Sequence, residues 1–244
     1  MAHYISKKNV KGWDKILPNQ EFNSNLYKSG LENIEKSIWD CILDVCNISK
    51  PDEELSILQT DMFSIEEMAS SPVVLCFMQW LIRSVQAKTV LEIGAFVGVS
   101  AMYFARALPD DGKVITIEKF DHFAEIARKN IKNNDLESKI EIIAADAIQV
   151  LDSVVRDNVF DFVFIDGNKE RYADYLQAVE GSVRPGGLII IDDALFHGDV
   201  LNDESETEKG RGVREAIDIA KNLQGWDKIL LPISNGLLLL RRQE

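Results

Sequence analysis

Two short stretches of this 244-residue chain put chemistry at the ends of apolar runs. Phe164-Ile165 passes directly into Asp166-Gly167-Asn168-Lys169, and Ile191 passes into Asp192-Asp193. An apolar run that stops in carboxylate is the pattern of a buried parallel strand whose tip reaches the carboxyl edge of an open α/β sheet, where such folds build their sites. Three acids gathered there repel one another unless a cation joins them. A donor set made only of carboxylate oxygens favours a hard ion, Mg²⁺ first with Mn²⁺ or Ca²⁺ admitted, over zinc. The expected ligands are Asp166, Asp192 and Asp193. Taken singly, each acid has an equal claim to be a helix cap. Three in two motifs, with a lysine beside them, favour metal.

A second cluster precedes them. Leu91-Glu92-Ile93-Gly94-Ala95-Phe96-Val97-Gly98-Val99-Ser100 joins an apolar run to a helical pattern, the place where glycines let a nucleotide-like ligand approach the backbone closely. The spacing is Gly-x-x-x-Gly, not the Gly-x-Gly-x-x-Gly that seats a pyrophosphate, so a dinucleotide is disfavoured. Glu118 closes the next apolar run, where an acid accepts hydrogen bonds from both ribose hydroxyls. Asp146-Ala147 closes the third, near the acceptor and backbone donor that an adenine requires.

The elements that must position these residues alternate. Strand patterns at Thr89 to Ile93, Lys113 to Ile117, Ile140 to Ile143, Phe160 to Ile165 and Leu188 to Ile191 are each followed by a helical pattern, at 99–108, 122–133, 147–154, 169–183 and 212–223. Five such units in order specify a doubly wound parallel sheet with helices on both faces. Two closing runs, Lys228 to Leu231 and Gly236 to Leu240, flank the turn former Pro232-Ile233-Ser234-Asn235 and predict a hairpin, hence an antiparallel strand. Upstream, apolar positions from Leu31 to Cys46 recur at helical steps, Ser64 with Glu67 reads as a capping box, and Ser71-Pro72 as a helix start. Residues 1 to 24 read as a polar arm, and Gly12-Trp13-Asp14-Lys15-Ile16-Leu17 recurs at 225–230 with no similarity around either copy. Phe77 and Trp80, at helical spacing, read as core packing.

Composition bounds the rest. With 46% hydrophobic residues the chain has ample material for one continuous core. Forty acids against twenty-seven bases give a net charge of -13, which disfavours nucleic acid and anionic membranes as partners. No apolar run reaches the roughly 18 residues of a membrane span, and the start lacks a signal-peptide core, so a cytoplasmic location is expected. Cys41, Cys46 and Cys76 lack a Cys-x-x-Cys pair and are expected as buried thiols.

Together, Glu92-Ile93-Gly94-Ala95-Phe96-Val97-Gly98-Val99-Ser100, Glu118, Asp146-Ala147, Asp166-Gly167-Asn168-Lys169 and Asp192-Asp193 resemble the cation-dependent, S-adenosylmethionine-dependent O-methyltransferases of the caffeoyl-CoA and catechol type. The resemblance runs from about Met68 to Arg242. It implies a Rossmann-like fold, a doubly wound, mainly parallel seven-stranded sheet with its final strand antiparallel and extra N-terminal helices. It divides the chain into an arm and helix over 1–63 and a methyltransferase domain over 64–244. It places Met68 and Ser70 beside the methionine portion of the cofactor, with Glu92, Gly94, Ala95, Phe96 and Ser100 around its amino acid end. Glu118 then holds the ribose, Asp146 and Ala147 the adenine, and Asp166 borders both cofactor and metal. Lys169 is implied as the general base, its pKa expected to fall beside a divalent cation. The family's third metal ligand is usually asparagine, and Asp193 stands in its place.

The implied reaction is methyl transfer to a hydroxyl of a catechol-like phenolic or natural-product acceptor. His197 is a candidate substrate contact, with a solvent-exposed loop histidine as the alternative, and the polar run 201–212 reads equally as a lid or a surface loop. Two rivals stand beside this reading, a nicotinamide-dependent oxidoreductase, which the glycine spacing disfavours, and a non-catalytic binding protein of the same fold. The extra N-terminal helix favours a homodimer.

Overall fold

The computed structural model describes residues 41–48, 51–64 and 68–244. The chain divides into two compact units, Met1–Asn47 and Ile48–Glu244. Of the first, residues 41–45 are helical, so the helix expected from Leu31 is seen only at its end. Its remainder, the arm at 1–24 and the first Gly-Trp-Asp-Lys-Ile-Leu copy lie outside the described residues, as does part of the capping box. Cys41 and Cys46 are exposed and Cys76 is half-buried, which corrects the expectation of buried thiols. Residues 41–48 are exposed or half-buried throughout, so the apolar spacing of that helix does not enclose its thiols.

In the second unit, a short helix α1 (Pro51–Glu54) leads to the buried Leu55 and to Leu58, whose N–H donates to Asn130 Oδ1 at 2.6 Å. Helix α2 (Pro72–Ser84) begins as its sequence requires. Ser71 Oγ accepts from the Val74 N–H, and Pro72 occupies the first turn, where its missing donor costs nothing. Val74, Leu75, Met78, Leu81 and Ile82 form its buried stripe. Trp80 falls on the opposite face, 61% exposed and stacked on Phe77, which corrects its assignment to the core.

The sheet has seven strands, β1 (Thr89–Ile93), β2 (Lys113–Glu118), β3 (Ile140–Ala144), β4 (Phe160–Ile165), β5 (Val183–Ile191), β6 (Trp226–Leu231) and β7 (Leu237–Arg242). Their order is β3-β2-β1-β4-β5-β7-β6, with β7 antiparallel to both neighbours and every other pairing parallel. Successive side chains of β4 feed opposite faces. Phe162 and Phe164 pack on Phe104 in one core layer, while Val163 and Ile165 enter the other. A strand buried on both sides reads as an unbroken apolar run, which is why β1, β4 and β5 are evident from sequence.

Helices α3 (Val99–Ala107), α4 (Asp121–Asn133), α5 (Ala147–Asp157) and α6 (Tyr172–Val179) make the crossovers, and α7 (Glu208–Asn222) precedes β6. The strand order reverses between β1 and β4, so a crevice opens at their carboxyl ends. Gly94 and Asp166 follow these two strands. A Cβ on Gly94 would fall inside contact distance of the Asp166 carbonyl, and its φ of +103° is one that glycine tolerates.

Candidate active site

The crevice widens into a cavity of about 640 Å³, a volume suited to a small-molecule ligand. Met68, Ser70, Gly94, Ala95, Phe96 and Ser100 contribute to its wall, as do Glu118, Asp146, Ala147 and Asp166. Lys169, Asp193, Phe196 and His197 line the same cavity. Residues from the tips of β1, β2, β3, β4 and β5 therefore meet in one space. Two expected site residues, Glu92 and Asp192, lie buried behind the wall, at 0% and 6% exposure.

Glu118 is fixed by the backbone. Its Oε2 accepts from the Phe96 N–H at 2.8 Å and its Oε1 from the Phe120 N–H at 2.9 Å, and burial raises its pKa. Asp146 serves two roles. It caps α5 through Ile148 N–H, as the plain reading of a strand-end acid has it, and its Oδ2 pairs with Lys119 at 2.8 Å on the cavity wall. Sequence reasoning misses Lys119, because a lone lysine after a strand carries no pattern.

Glu92 takes a hydrogen bond from the Thr116 hydroxyl on one oxygen; the nearby Ser100 hydroxyl also favours its charged form, while its Oε1 makes no hydrogen bond of good geometry among the described residues. Burial pushes its pKa up to about 7. An orphaned, fully buried carboxylate oxygen beneath the glycine loop fits the α-ammonium of an amino acid, the group that S-adenosylmethionine carries.

The acidic cluster is organised by lysine. Lys169 Nζ stands 2.8 Å from Asp166 Oδ1 and 2.8 Å from Asp193 Oδ2, and 5.6 Å above the Tyr172 ring. Asp192 accepts from Ser70 Oγ at 3.0 Å and from the Asp193 N–H at 2.8 Å. Burial, then repulsion from Asp166 and Asp193, pushes Asp192 up to about 7. Burial also raises Asp166, whereas at Asp193 burial is outweighed by the Lys169 charge together with the hydrogen bonds from Lys169 and Asn235, and the carboxyl is held low. Burial opposes the Lys169 ammonium, but Asp166 and the neighbouring charges outweigh that, so against the protein's own charges its pKa stands raised; the fall expected of it belongs to the state with a divalent cation beside it.

Among the described residues, no three side chains form a ready metal cage. The donor chemistry nevertheless fits a hard cation. Asp192 is buried, Asp166 and Asp193 are half-buried, and Lys169 pairs with only the latter two, which leaves an excess of carboxylate that a divalent ion would relieve. An ion held here would compete with the Lys169 ammonium for the Asp166 and Asp193 carboxylates.

His197 adopts a left-handed backbone, φ +53°, and its N–H donates to Asn235 Oδ1 at 2.6 Å. Asn235, which the sequence marks only as a turn former, also donates from Nδ2 to Asp193 Oδ1 at 2.9 Å. The run 201–212 is half helix. Thr207 caps α7 through Gly210 N–H, so α7 begins at Glu208 rather than 212. Gly212 is buried against the carbonyl of Lys169 and the Cα of Glu170, which makes it a packing glycine rather than a hinge.

Residues 52–243 match the O-methyltransferase family. A caffeoyl-CoA O-methyltransferase from Stellaria longipes is 31% identical, over 91% of this chain and 96% of that protein. A catechol O-methyltransferase from Niastella koreensis is 38% identical over 57% of this chain and 63% of its own length. In fold, the chain is similar to an O-methyltransferase from Bacillus cereus in complex with SAH, with TM-score 0.70, 23% identity, and coverage of 91% of this chain and 97% of the other. A Streptomyces achromogenes O-methyltransferase involved in tomaymycin synthesis, in complex with SAM, superposes at TM-score 0.69 and 24% identity, covering 93% and 100%.

Proposed function

The chain belongs to the O-methyltransferase family, as an S-adenosylmethionine-dependent enzyme, and from that premise we propose that it methylates one hydroxyl of a small acceptor bearing two adjacent oxygens, with a divalent cation. The observation that carries this reading is the single cavity. It is lined both by the glycine loop with Glu118 and Asp146, and by Lys169 with Asp193 and His197.

The cofactor is held through its amino acid end by Glu92 and the Gly94 loop, through its ribose by Glu118, and through its adenine by Asp146 and Ala147. When bound, it supplies a methyl group on a positively charged sulfur. Asp166, Asp192 and Asp193 are the oxygen donors for the cation, which when bound supplies Lewis acidity and a template for two vicinal oxygens.

Nζ of Lys169 is the group that would take the acceptor hydroxyl's proton, which it can do only as the neutral amine, after its own proton has passed to solvent. The two flanking carboxylates favour the ammonium, so the base role would require that pairing to weaken, as it would beside a bound cation. Methyl transfer to the acceptor oxygen would leave the cofactor as the neutral thioether. Phe196 and His197 at the cavity wall contact the acceptor. The non-catalytic alternative gives no purpose to a lysine shared by Asp166 and Asp193 in the cavity that the glycine loop lines.

The acceptor class is phenolic, by the names of the relatives; the acid-rich composition speaks against nucleic acid partners, and a homodimer is proposed from the extra N-terminal helix. Among the described residues no helix is long and apolar enough to cross a membrane. The test is a catechol panel with S-adenosylmethionine and Mg²⁺, read by mass for one added methyl. Product that disappears with chelator, with Lys169→Ala and with Asp166→Ala supports the reading; product that survives all three refutes it.

A further inference from the structure

We propose that Asn235 is a positioning residue for this site, aiming the Asp193 carboxylate and, by being an amide, keeping the Asp193–Asn235 pair at a single charge. The inference rests on the reading of Asp193 as part of the reaction centre, and the observations behind it are independent of that reading.

Asp193 opens a stretch of unusual backbone. Its φ is +55°, Phe196 follows at +35° and His197 at +53°, all in the left-handed region that L residues avoid. Such a segment persists only where its surroundings hold it. Here the holding element is the turn between β6 and β7. The Asn235 carbonyl accepts from Leu195 N–H at 2.8 Å, and the Gly236 carbonyl accepts from Ala194 N–H at 2.9 Å. Gly236 is at φ +94°, and a Cβ there would lie 2.7 Å from Leu195 N, so turn and loop touch backbone to backbone.

The Asn235 side chain completes the clasp. Nδ2 donates to Asp193 Oδ1 at 2.9 Å and Oδ1 accepts from His197 N–H at 2.6 Å. The partners dictate the orientation of the amide, because a carboxylate only accepts and a backbone N–H only donates. No other side chain of this length does both. Leucine offers neither group, and aspartate would set one carboxylate against another. The other Asp193 oxygen faces Lys169 Nζ at 2.8 Å. A line of contacts therefore runs from the last turn of the sheet through Asp193 to the base.

A reciprocal exchange tests this. Wild type, Asn235→Leu, Asn235→Asp, Asp193→Asn and the double variant Asp193→Asn/Asn235→Asp are compared. The measurements are Mn²⁺ and S-adenosylhomocysteine binding by calorimetry, kcat and KM on a catechol acceptor, and thermal melting. In the double variant the amide and the carboxylate change places, so the hydrogen bond between the two positions survives with its direction reversed and the pair keeps its single charge.

Expected results are a loss of at least tenfold in kcat for each Asn235 single variant and about tenfold weaker Mn²⁺ binding for Asn235→Leu. S-adenosylhomocysteine binding stays within twofold, and the double variant recovers kcat to within about threefold of wild type. Unchanged kcat and Mn²⁺ affinity in Asn235→Leu, or a double variant no better than the worse single, would overturn the proposal. Should Asn235→Leu fail to fold, the two exchange variants decide it by the same rescue. Wild-type protein that methylates yet binds no Mn²⁺ sinks the cation reading instead, and the rescue of kcat then decides the role of Asn235 alone.

Discussion

Lys169 and Asp193 meet at 2.8 Å across two strand tips, one following β4 and the other following β5. Their contact, with the matching one to Asp166, makes the lysine both the candidate base and the local substitute for a cation. Replacing Lys169 by Met keeps the stem and deletes the charge. Methyl transfer should fall by about 10²- to 10⁴-fold, the range of a lost general base. Cation affinity should rise, because the competitor is gone. Calorimetry with Mg²⁺ or Mn²⁺ checks the second effect, and weaker binding in Lys169→Met would refute the competition.

Glu92 should set the pH dependence of cofactor binding. Burial raises its pKa from the ordinary 4.5 to about 7, so between those values the folded chain binds a proton that the unfolded chain has lost. Its contribution to stability therefore declines as pH rises through that window, reaching a cost of about 3 kcal/mol once the carboxyl is ionised. Ionised Glu92 is also the form that attracts an ammonium. S-adenosylhomocysteine should bind more tightly at pH 8 than at pH 6. Glu92→Gln should flatten that slope, weaken binding at pH 8 by about tenfold and raise the melting temperature there. A slope that persists in the glutamine variant would assign it to another group.

Gly212 carries a steric prediction. An added methyl would press on the Lys169 carbonyl and on Glu170, both backbone atoms that cannot turn aside. Gly212→Ala should therefore shift the turn bearing Lys169 and lower kcat by about tenfold or more, with S-adenosylhomocysteine affinity within twofold. Gly181→Ala, where nothing lies within 4 Å, serves as the neutral control. Equal kcat in the two variants would mean that α7 yields instead.

Asp161 anchors the opposite end of β1 and β4. Its Oδ2 accepts from Lys88 N–H at 2.6 Å and Thr89 N–H at 2.7 Å, and its Oδ1 pairs with Arg184. Asp161→Ala leaves these donors unpaired and should cost about 2 to 4 kcal/mol of stability, without changing cofactor affinity. Burial works against its charge, but hydrogen bonds from Lys88, Thr89 and Arg184 win and its pKa lies low. The stabilisation is present at neutral pH and fades as pH falls through that lowered pKa. Denaturant melts at pH 7 and pH 3 should show the gap between variant and wild type closing in acid.

The sheet is legible in the chain because its strands are buried on both faces, so each is a short unbroken apolar run with an abrupt polar end. For the same reason Asp166, Glu118 and Asp146 can be named as tip residues and the loop at Gly94 as a close approach. Local sequence also carries the cap at Ser71 and the closing hairpin. It does not carry Trp80, whose exposure depends on the face of α2 that the sheet leaves uncovered. Nor does it carry the start of α7, where Thr207 sits in a polar run that looks like loop.

Sequence alone determined which side chains arrive at the carboxyl edge, since the position and length of each strand along the chain follow from patterns a few residues long. Tertiary structure decided what those side chains do to one another. That Lys169 reaches Asp193 as well as its near neighbour Asp166, that Glu92 is enclosed with an oxygen unbonded and that Asn235 grips Asp193 all depend on how segments distant in the chain are brought together. Charge, burial and hydrogen-bond polarity act over a few ångströms of space, and only the folded sheet sets those distances.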